Sequence, residues 1–284
     1  MAASGAVEPV LDERDLHLWE EVWVPAFVAH TRTKAFRRHL EQAKSIVESG
    51  LREAKSPEHF VMSVSAGKDS TALGELIAGE MGHKIAAVSE KDDLDYPGET
   101  EHLEALASRW SVPIKVVTPS VSMRAFIAEI AKSGAVADDD MHGRASALSK
   151  DHFYKLIEDA CAPYSVVALG LRAEESEARR KNRMTRGVLY QKADTGRWHC
   201  CPLSDWKGID VMAYCVSRGV PLLPLYKCIG FNPEHTKEPW RIRKSWWLPG
   251  SHSRFGAAAW LRRYYPSLWR VFLDIWPSAR SLGG

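Results

Sequence analysis

The stretch from Phe60 to Ser70 constrains this chain most, because it combines a buried strand, a turn of small residues and the start of a helix. Asp69 and Ser70 suit an N-cap, and Gly82 ends the helix. Its apolar face is predicted to consist of Leu73, Leu76, Ile77 and Met81. Where a small-residue loop meets a helix N-terminus, backbone N–H groups and the helix dipole together favour a bound anion. The spacing is not that of the common phosphate loop, which needs Gly, four residues and then Gly-Lys-Ser/Thr.

Strands and helices alternate along the chain after this stretch. Further strands are predicted at 84–90, 114–118 and 164–170, with helices at 99–110 and 151–161. This alternation predicts an α/β fold: a parallel sheet with helices on both faces. Ligands of such sheets bind beyond the carboxyl ends of the strands. The loop at 65–70, the acidic residues at 92–95 and the arginines from 172 onward are therefore expected on one rim.

Composition excludes several classes of protein. The chain has 284 residues, is 45% hydrophobic and 26% charged, and carries a net charge of +2, which names no partner. No apolar run approaches the ~18 residues that span a membrane, and no signal peptide is evident. The five cysteines lack the spacing of a disulfide framework, so a cytoplasmic protein with reduced thiols is expected.

The loop Ser65–Ser70, with the sequence SAGKDS, resembles the SGGKDS loop of the PP-loop family, the adenine nucleotide alpha hydrolases. Ala66 departs from the usual glycine, and alanine disfavours a positive φ. In that family the loop holds the pyrophosphate of ATP. The resemblance implies a Rossmann-like fold and an adenine nucleotide, ATP or phosphoadenylyl sulfate (PAPS), as ligand.

Four further segments resemble PAPS reductases and their relatives, in the family's order across residues 56–232. Residues 170–179 resemble its G-[IL]-R-x-x-[EQ]-S-x-x-R segment, and residues 201–211 its PLxDW…DV segment. Residues 222–226 resemble its LPxNPLY turn, and residues 95–100 its FPET segment with one inserted Gly. The resemblance implies that the nucleotide is bound by Ser63, Ser65, Ala66, Gly67, Lys68, Asp69, Ser70, Gly170, Arg172 and Ser176.

Catalytic roles are expected at Lys68, Asp69, Arg172 and Arg179. A guanidinium fork grips anionic oxygens, and a lysine supplies a point charge to the same phosphates. Mg²⁺ is expected at Asp69, Asp92 and Asp93, because carboxylates are its usual protein ligands. Two alternatives to these roles stay open. In one, the basic residues at 172–186 form a solvated face; in the other, Asp92 and Asp93 are ordinary turn residues.

The chemistry implied by the resemblance divides between two reactions. PAPS reductases use a cysteine in a C-terminal Glu-Cys-Gly-Leu-His tail, and no cysteine follows Cys228 here. The ATP-cleaving members keep Lys-Asp-Ser, as residues 68–70 do. The first hypothesis is therefore attack at the α-phosphorus of ATP with pyrophosphate release, activating a target for sulfur insertion. The alternatives are a sulfonucleotide reductase with an internal cysteine, and a nucleic-acid-binding module without turnover.

Three cysteines are candidates for handling sulfur: Cys200, Cys201 and Cys228. Relatives carry a Cys-Cys pair and a later C-x-x-C around an iron–sulfur cluster, and three candidates are one short of four ligands. Such a cluster is therefore disfavoured. Cys161 and Cys215 are expected to be buried structural thiols on helix faces.

The chain divides into a helical segment at 1–55, a nucleotide-binding domain at 56–232 and a Trp/Arg-rich extension at 233–284. Of the 11 tryptophans, eight lie at or after Trp198. Aromatics interleaved with arginines can bind nucleic acid. The alternative is a packed helical cap, since Pro266 opens a helix with an apolar face of Leu268, Val271, Phe272 and Ile275. A homo-oligomer is expected, and the acceptor of the activated group is not named by the sequence.

Overall fold

The computed structural model describes residues 8–132, 155–230, 238–242, 257–275 and 277. Its N-terminal part is helical. Helix α1 (Glu13–His17) continues through a π-helical turn (Leu18–Trp23) into α2 (Val24–His30), and α3 (Lys34–Ala54) follows. Thr33 caps α3 by accepting a hydrogen bond from the Phe36 N–H at 3.2 Å. The segment predicted to be helical thus contains two helical stretches, which residues 31–33 separate.

A six-stranded sheet forms the centre of the described molecule. Its strands are β1 (Phe60–Ser63), β2 (Ala86–Glu90), β3 (Ile114–Val117), β4 (Val166–Ala168), β5 (Leu189–Gln191) and β6 (Trp198–Cys200). The strand order is β3-β2-β1-β4-β6-β5. All neighbouring pairs are parallel except β5 and β6, which are antiparallel. The predicted α/β, Rossmann-like fold is confirmed, and the antiparallel edge pair is an addition that the sequence did not predict.

Helices connect and cover these strands. They are α4 (Lys68–Gly74, continued by a π-helical turn over Glu75–Glu80), α5 (Glu99–Trp110), α6 (Met123–Lys132), α7 (Lys155–Ala160), α8 (Glu177–Arg186), α9 (Gly208–Ser217), α10 (Ala257–Tyr264) and α11 (Pro266–Ile275). Short 3-10 turns lie at Pro57–His59, Ala173–Glu175, Pro224–Lys227 and Pro239–Arg241. Among the residues described, no helix is long and apolar enough to cross a membrane.

Alternation of side chains along β1 separates two hydrophobic cores. Phe60 and Met62 belong to the larger core, which also receives α3, α4, α5 and α9. Val61 belongs to a smaller core with Val88, Val167 and Cys161 on the other side. Because successive side chains of a strand point to opposite faces, the sheet is covered on both sides, as predicted.

Asp15 joins three parts of the chain that are distant in sequence. Its carboxylate is fully buried. One oxygen, Oδ1, accepts hydrogen bonds from the Ile229 N–H at 3.0 Å, the Gly230 N–H at 2.6 Å and the Tyr264 hydroxyl at 2.7 Å. The N-terminal helix, the end of the sheet domain and helix α10 are therefore fastened at one carboxylate, which we call the Asp15 clasp.

Candidate functional site

The loop after β1 is closed by the hydroxyl of Ser70. This oxygen accepts a hydrogen bond from the Ser65 N–H at 2.9 Å and donates one to the Gly67 carbonyl at 3.0 Å. Helix α4 begins at Lys68 with Gly67 as its N-cap, so the predicted cap at Asp69 or Ser70 was wrong. The first helical hydrogen bond runs from the Thr71 N–H to the Gly67 carbonyl at 2.9 Å. The amides of Asp69 and Ser70 precede this bond and make no helical hydrogen bond, and such helix-start amides favour a bound anion. Ser63 lies just before the loop, as the last residue of β1.

Ala66 has a backbone φ of 55°, in the left-handed region. This is the position where the resemblance expects glycine, and the backbone has kept the glycine-type conformation despite the methyl group. A non-glycine residue in this region costs about 1–2 kcal/mol. The side chain is fully buried, so the loop holds a strained residue at its centre.

Lys68 and Arg172 enclose the carboxylate of Asp69. Lys68 Nζ lies 2.8 Å from Asp69 Oδ2, and Arg172 Nε lies 2.5 Å from Asp69 Oδ1. Burial raises the pKa of the Asp69 carboxyl, but the two positive charges outweigh burial and hold the pKa below its ordinary value. The lysine and arginine are themselves only 5% and 3% exposed. Three of the four predicted catalytic residues are therefore brought into one buried ion network.

The guanidinium of Arg172 is shared among carboxylates of the protein itself. Besides Asp69, it lies 2.7 Å from Glu174 Oε2 through Nη1 and 3.8 Å from Glu175 Oε1 through Nη2. Glu174 Oε2 also accepts the N–H of Gly208 at 2.6 Å, at the start of α9. Arg172 was predicted to grip phosphate, and in this conformation it fastens the loop to α9 instead. The sequence did not predict these acidic partners. Acidic residues that follow an arginine in sequence give no sign of whether they will pair with it in the fold.

Arg179 and Ser176 lie at the start of α8, beside this network. Arg179 forms an ion pair with Glu175, and the Ser176 hydroxyl caps α8 by accepting from the Arg179 N–H at 3.2 Å. Ser176 therefore acts as the N-cap of α8, and its contact with a nucleotide stays a prediction. Gly170 packs directly on the loop: a Cβ there would lie 2.9 Å from the Asp69 carbonyl carbon. Only glycine fits this approach, so Gly170 sets the distance between β4 and the start of α4.

Tyr226 lies in the site, although the sequence predicted only that it belongs to a turn. Its hydroxyl accepts a hydrogen bond from the Lys68 N–H at 2.8 Å, and its ring is fully buried. Burial raises the pKa of the phenol above its ordinary value, so Tyr226 stays protonated. The contact joins residues 158 positions apart and fixes the first turn of α4.

The acidic residues after β2 accept hydrogen bonds from nearby parts of the chain. Asp93 Oδ1 accepts the N–H of Met123 at 2.7 Å and Oδ2 accepts the Ser122 hydroxyl at 2.6 Å, so Asp93 caps α6. Asp92 Oδ1 accepts the Leu94 N–H at 2.6 Å. Within the described ranges, no three His, Cys, Asp or Glu side chains lie together as a metal site. Since both oxygens of Asp69 are already paired, the residues predicted to bind Mg²⁺ do not form a fitting set in this conformation.

The cysteines are all buried. Burial raises the pKa of the Cys201 thiol to about 12, against a smaller opposing effect of Arg179. Burial also raises the pKa of Cys200 and Cys228 above the ordinary thiol value. Cys200 faces α3, where its sulfur lies 3.5 Å from the Ile46 carbonyl, and the Cys228 sulfur lies 3.9 Å from the Pro224 carbonyl. None of the three presents a thiolate to solvent, which is the form that reacts.

The described tryptophans of the C-terminal extension are packing residues. Trp260 and Trp269 are 5% and 7% exposed, and Trp260 Nε1 donates to the Cys228 carbonyl at 2.9 Å. Trp240 lies against Gly208, where a Cβ would approach it to 2.2 Å. The predicted helix from Pro266 is confirmed, with Leu268, Phe272 and Ile275 buried. Other aromatic and basic residues of the predicted nucleic-acid segment lie outside the described residues, among them Lys237, Arg243, Lys244, Trp246, Trp247 and Arg254.

A cavity of about 240 Å³ opens beside the ion network. Its wall includes Arg172, Arg179 and Asn182 from one side, and Cys201 and Ser204 from the other. This volume is smaller than the roughly 300–1,000 Å³ of pockets for drug-sized ligands. The cavity therefore admits a small group rather than a whole nucleotide.

Comparison with known proteins gives one family. The model of the phosphoadenosine phosphosulfate reductase domain matches residues 59–232. No curated protein matches the chain.

Three solved structures are similar at low sequence identity. The PAPS reductase from Candida auris, in a phosphate complex, is 14% identical over 78% of this chain and 93% of its own, with a TM-score of 0.48. The Candida glabrata FMN adenylyltransferase with FMN and an ATP analogue is 12% identical over 75% of this chain and 68% of its own, with a TM-score of 0.46. The U34-tRNA thiolase from Methanococcus maripaludis, with its 4Fe-4S cluster, is 13% identical over 87% of this chain and 80% of its own, with a TM-score of 0.47.

Proposed function

This chain belongs to the phosphoadenosine phosphosulfate reductase domain family, and from that premise we propose that it is an enzyme that binds ATP and cleaves it at the α-phosphate. The acceptor attacks the α-phosphorus, the bond from that phosphorus to the bridging oxygen breaks, and pyrophosphate leaves with the electron pair. The adenylylated target is thereby activated for sulfur transfer. A cytoplasmic location and a homo-oligomeric state belong to the same proposal.

The observation that carries the proposal is the Lys68–Asp69–Arg172 network at the start of α4. A leaving pyrophosphate gains negative charge, which a preorganised cation and helix N-terminal amides stabilise without reorganisation. Lys68 supplies the cation, and Asp69 holds its ammonium at 2.8 Å. Arg172 fixes Asp69 in turn, so it acts here as a positioning residue.

The fit of a phosphate group is supported by the loop itself. Ala66 and Gly67 are small, and the amides of Gly67, Asp69 and Ser70 precede the first helical hydrogen bond. Small side chains and converging amides are the usual surroundings of a bound phosphate. No step of the proposal is routed through Mg²⁺, because the predicted carboxylates serve other contacts in this conformation.

The reductase alternative is disfavoured by the state of the thiols. A reductase needs a thiolate that attacks the sulfate sulfur, and each candidate cysteine is buried with a raised thiol pKa. ATP cleavage needs none of them.

The test is pyrophosphate release from ATP by the full chain, compared with Lys68→Met and Asp69→Asn. Wild type should release pyrophosphate, and both variants should lose at least about 100-fold in rate if the network stabilises the leaving group. Lys132→Met, an exposed lysine on α6, is the matched control and should keep full activity. Sulfite release from PAPS, lost in Cys201→Ser, together with no pyrophosphate from ATP, would overturn the proposal.

A further inference from the structure

Three arginines line the cavity beside the loop: Arg172, Arg179 and Arg183. Each of them is paired with a carboxylate of the protein itself, and the partners are Glu174, Glu175 and Asp205 respectively. Arginines beside a phosphate-type loop ordinarily offer their charge and their fork of N–H donors to an anionic ligand. In this protein the charge of all three is already balanced from within.

The ion network at the start of α4 is also balanced in charge. It contains three cations and three carboxylates, which are Lys68, Arg172, Arg179, Asp69, Glu174 and Glu175. One anionic group can still bind at the amides of Asp69 and Ser70, where the helix begins. A ligand with a second, separate anionic group gains no net attraction from a neutral network.

Glu174 occupies the position next to Arg172 that a ligand oxygen would take. Its Oε2 lies 2.7 Å from Arg172 Nη1 and accepts the N–H of Gly208 at 2.6 Å, at the first residue of α9. A guanidinium and a helix N-terminal amide are the usual partners of a phosphate or sulfate oxygen. The carboxylate of Glu174 therefore acts as an internal anion.

Glu174 differs from the other carboxylates around Arg172. Its side chain is 47% exposed, whereas those of Asp69 and Glu175 are 16% and 24% exposed. It also lies at a position that the pattern G-[IL]-R-x-x-[EQ]-S-x-x-R leaves open, while Glu175 occupies the [EQ] position. The internal anion is thus a feature of this chain that the pattern does not require.

From these contacts we infer that Glu174 is a specificity-determining residue, whose carboxylate excludes PAPS from the site and leaves ATP as the nucleotide. The inference rests on the proposed function, for which it names the residue that selects the nucleotide. ATP carries all its phosphates in one chain, which the helix-start amides and Lys68 can bind. PAPS carries a 5′-phosphosulfate and a separate 3′-phosphate, so it brings anionic groups to two places. An anionic group beside Arg172 would lie close to the Glu174 carboxylate, and like charges repel strongly where little water screens them.

The test compares two nucleotides by isothermal titration calorimetry of the full chain: PAPS and α,β-methylene-ATP, an analogue that is not cleaved at the α-phosphate. The wild type should bind the analogue at least about tenfold more tightly than PAPS. Glu174→Gln removes the charge and keeps an acceptor for the Gly208 N–H. It should raise the affinity for PAPS at least about tenfold, and change the affinity for the analogue less than about threefold.

The matched control is Glu177→Gln, which removes the same charge from a nearby exposed side chain paired with Lys181. It should change the ratio of the two affinities less than about twofold, because exposed ion pairs are well screened. This ratio also separates specificity from support of the fold, since loss of a merely structural contact would weaken both nucleotides together. Glu174→Ala should shift the ratio in the same direction, and it replaces the glutamine variant if that variant fails to fold.

The inference is overturned if the ratio is unchanged in the Glu174 variants, or if Glu177→Gln changes it equally. Equal or tighter binding of PAPS than of the analogue by the wild type would also overturn it, as would absence of binding of both nucleotides. No nucleotide is cleaved in these titrations. Failure of pyrophosphate release would therefore refute the proposed function and leave the effect of Glu174 on nucleotide choice intact.

Discussion

Removing the carboxylate of the Asp15 clasp should destabilise the whole protein. In Asp15→Ala, the N–H groups of Ile229 and Gly230 and the hydroxyl of Tyr264 lose their acceptor inside the core. Each buried donor left without a partner costs about 1–3 kcal/mol. The Tyr264 hydroxyl can rotate and water can enter, so we expect a loss of about 3–5 kcal/mol rather than the full sum. Typical domains are stable by about 5–15 kcal/mol, which makes this a large fraction.

The assay is equilibrium unfolding in urea, followed by tryptophan fluorescence, with the midpoint compared at constant slope. Asp159→Ala is the control, because Asp159 is an exposed acidic residue on α7 and its loss should change stability by less than about 0.5 kcal/mol. Tyr264→Phe should cost about 1 kcal/mol alone and little when Asp15 is already alanine. A loss below about 1 kcal/mol in Asp15→Ala, or strict additivity in the double variant, would refute the clasp.

Three further predictions concern the site and strand β6. Ala66→Gly should stabilise the protein by about 0.5–1 kcal/mol in thermal unfolding. Glycine removes the strain of the positive φ, and the greater conformational entropy of the unfolded chain offsets part of this gain. The same change at Ala72, inside α4, should destabilise by about 1 kcal/mol, and a loss at both positions would show that the left-handed conformation carries no strain. Tyr226→Phe should speed hydrogen exchange of the Lys68 amide by about tenfold, as expected from loss of an acceptor near 1.4 kcal/mol. An unchanged rate would mean that the phenol does not hold that amide. Burial, aided by Lys192 and Arg197, lowers the pKa of His199 to about 4. The unfolded chain binds this proton near pH 6.5 and the folded protein resists it, so stability is full above pH 6.5 and falls towards pH 4. His199→Gln should therefore lose about 1 kcal/mol less than wild type between pH 7 and pH 5 in urea unfolding, whereas parallel curves would exclude His199 as the cause.

Local patterns in the sequence were sufficient for strands β1 to β4 and for helix α5. Helix α5 occupies the predicted residues 99–110, and Gly98, the inserted glycine, has a φ of 83° just before it. Strand β4 is shorter than predicted, at Val166–Ala168. Strand β4 is equally short but lies in an apolar run, whereas β5 (Leu-Tyr-Gln) and β6 (Trp-His-Cys) have neither such a run nor enough residues to show alternation, so they were missed.

The candidate site was predictable in its position and not in its contacts. Lys68, Asp69 and Arg172 were named from the sequence and do meet in space. Their roles depend on Glu174, Gly208 and Tyr226, which reach the site only through tertiary packing. The same reason hides the Asp15 clasp, since its partners lie more than 200 positions away along the chain.

The burial of every thiol gives this protein a set of internal reporters of its own opening. A thiol reagent reaches a buried cysteine only when the surrounding segment opens, so the labelling rate measures the local opening equilibrium multiplied by the intrinsic reactivity. The five positions sample different parts of the described fold. Cys161 lies in the smaller core, Cys200 ends strand β6 and Cys201 follows it. Cys215 lies in helix α9, and Cys228 lies in the turn beside the clasp. The order in which they react would rank the local stabilities of the molecule, with no added probe and no change of sequence.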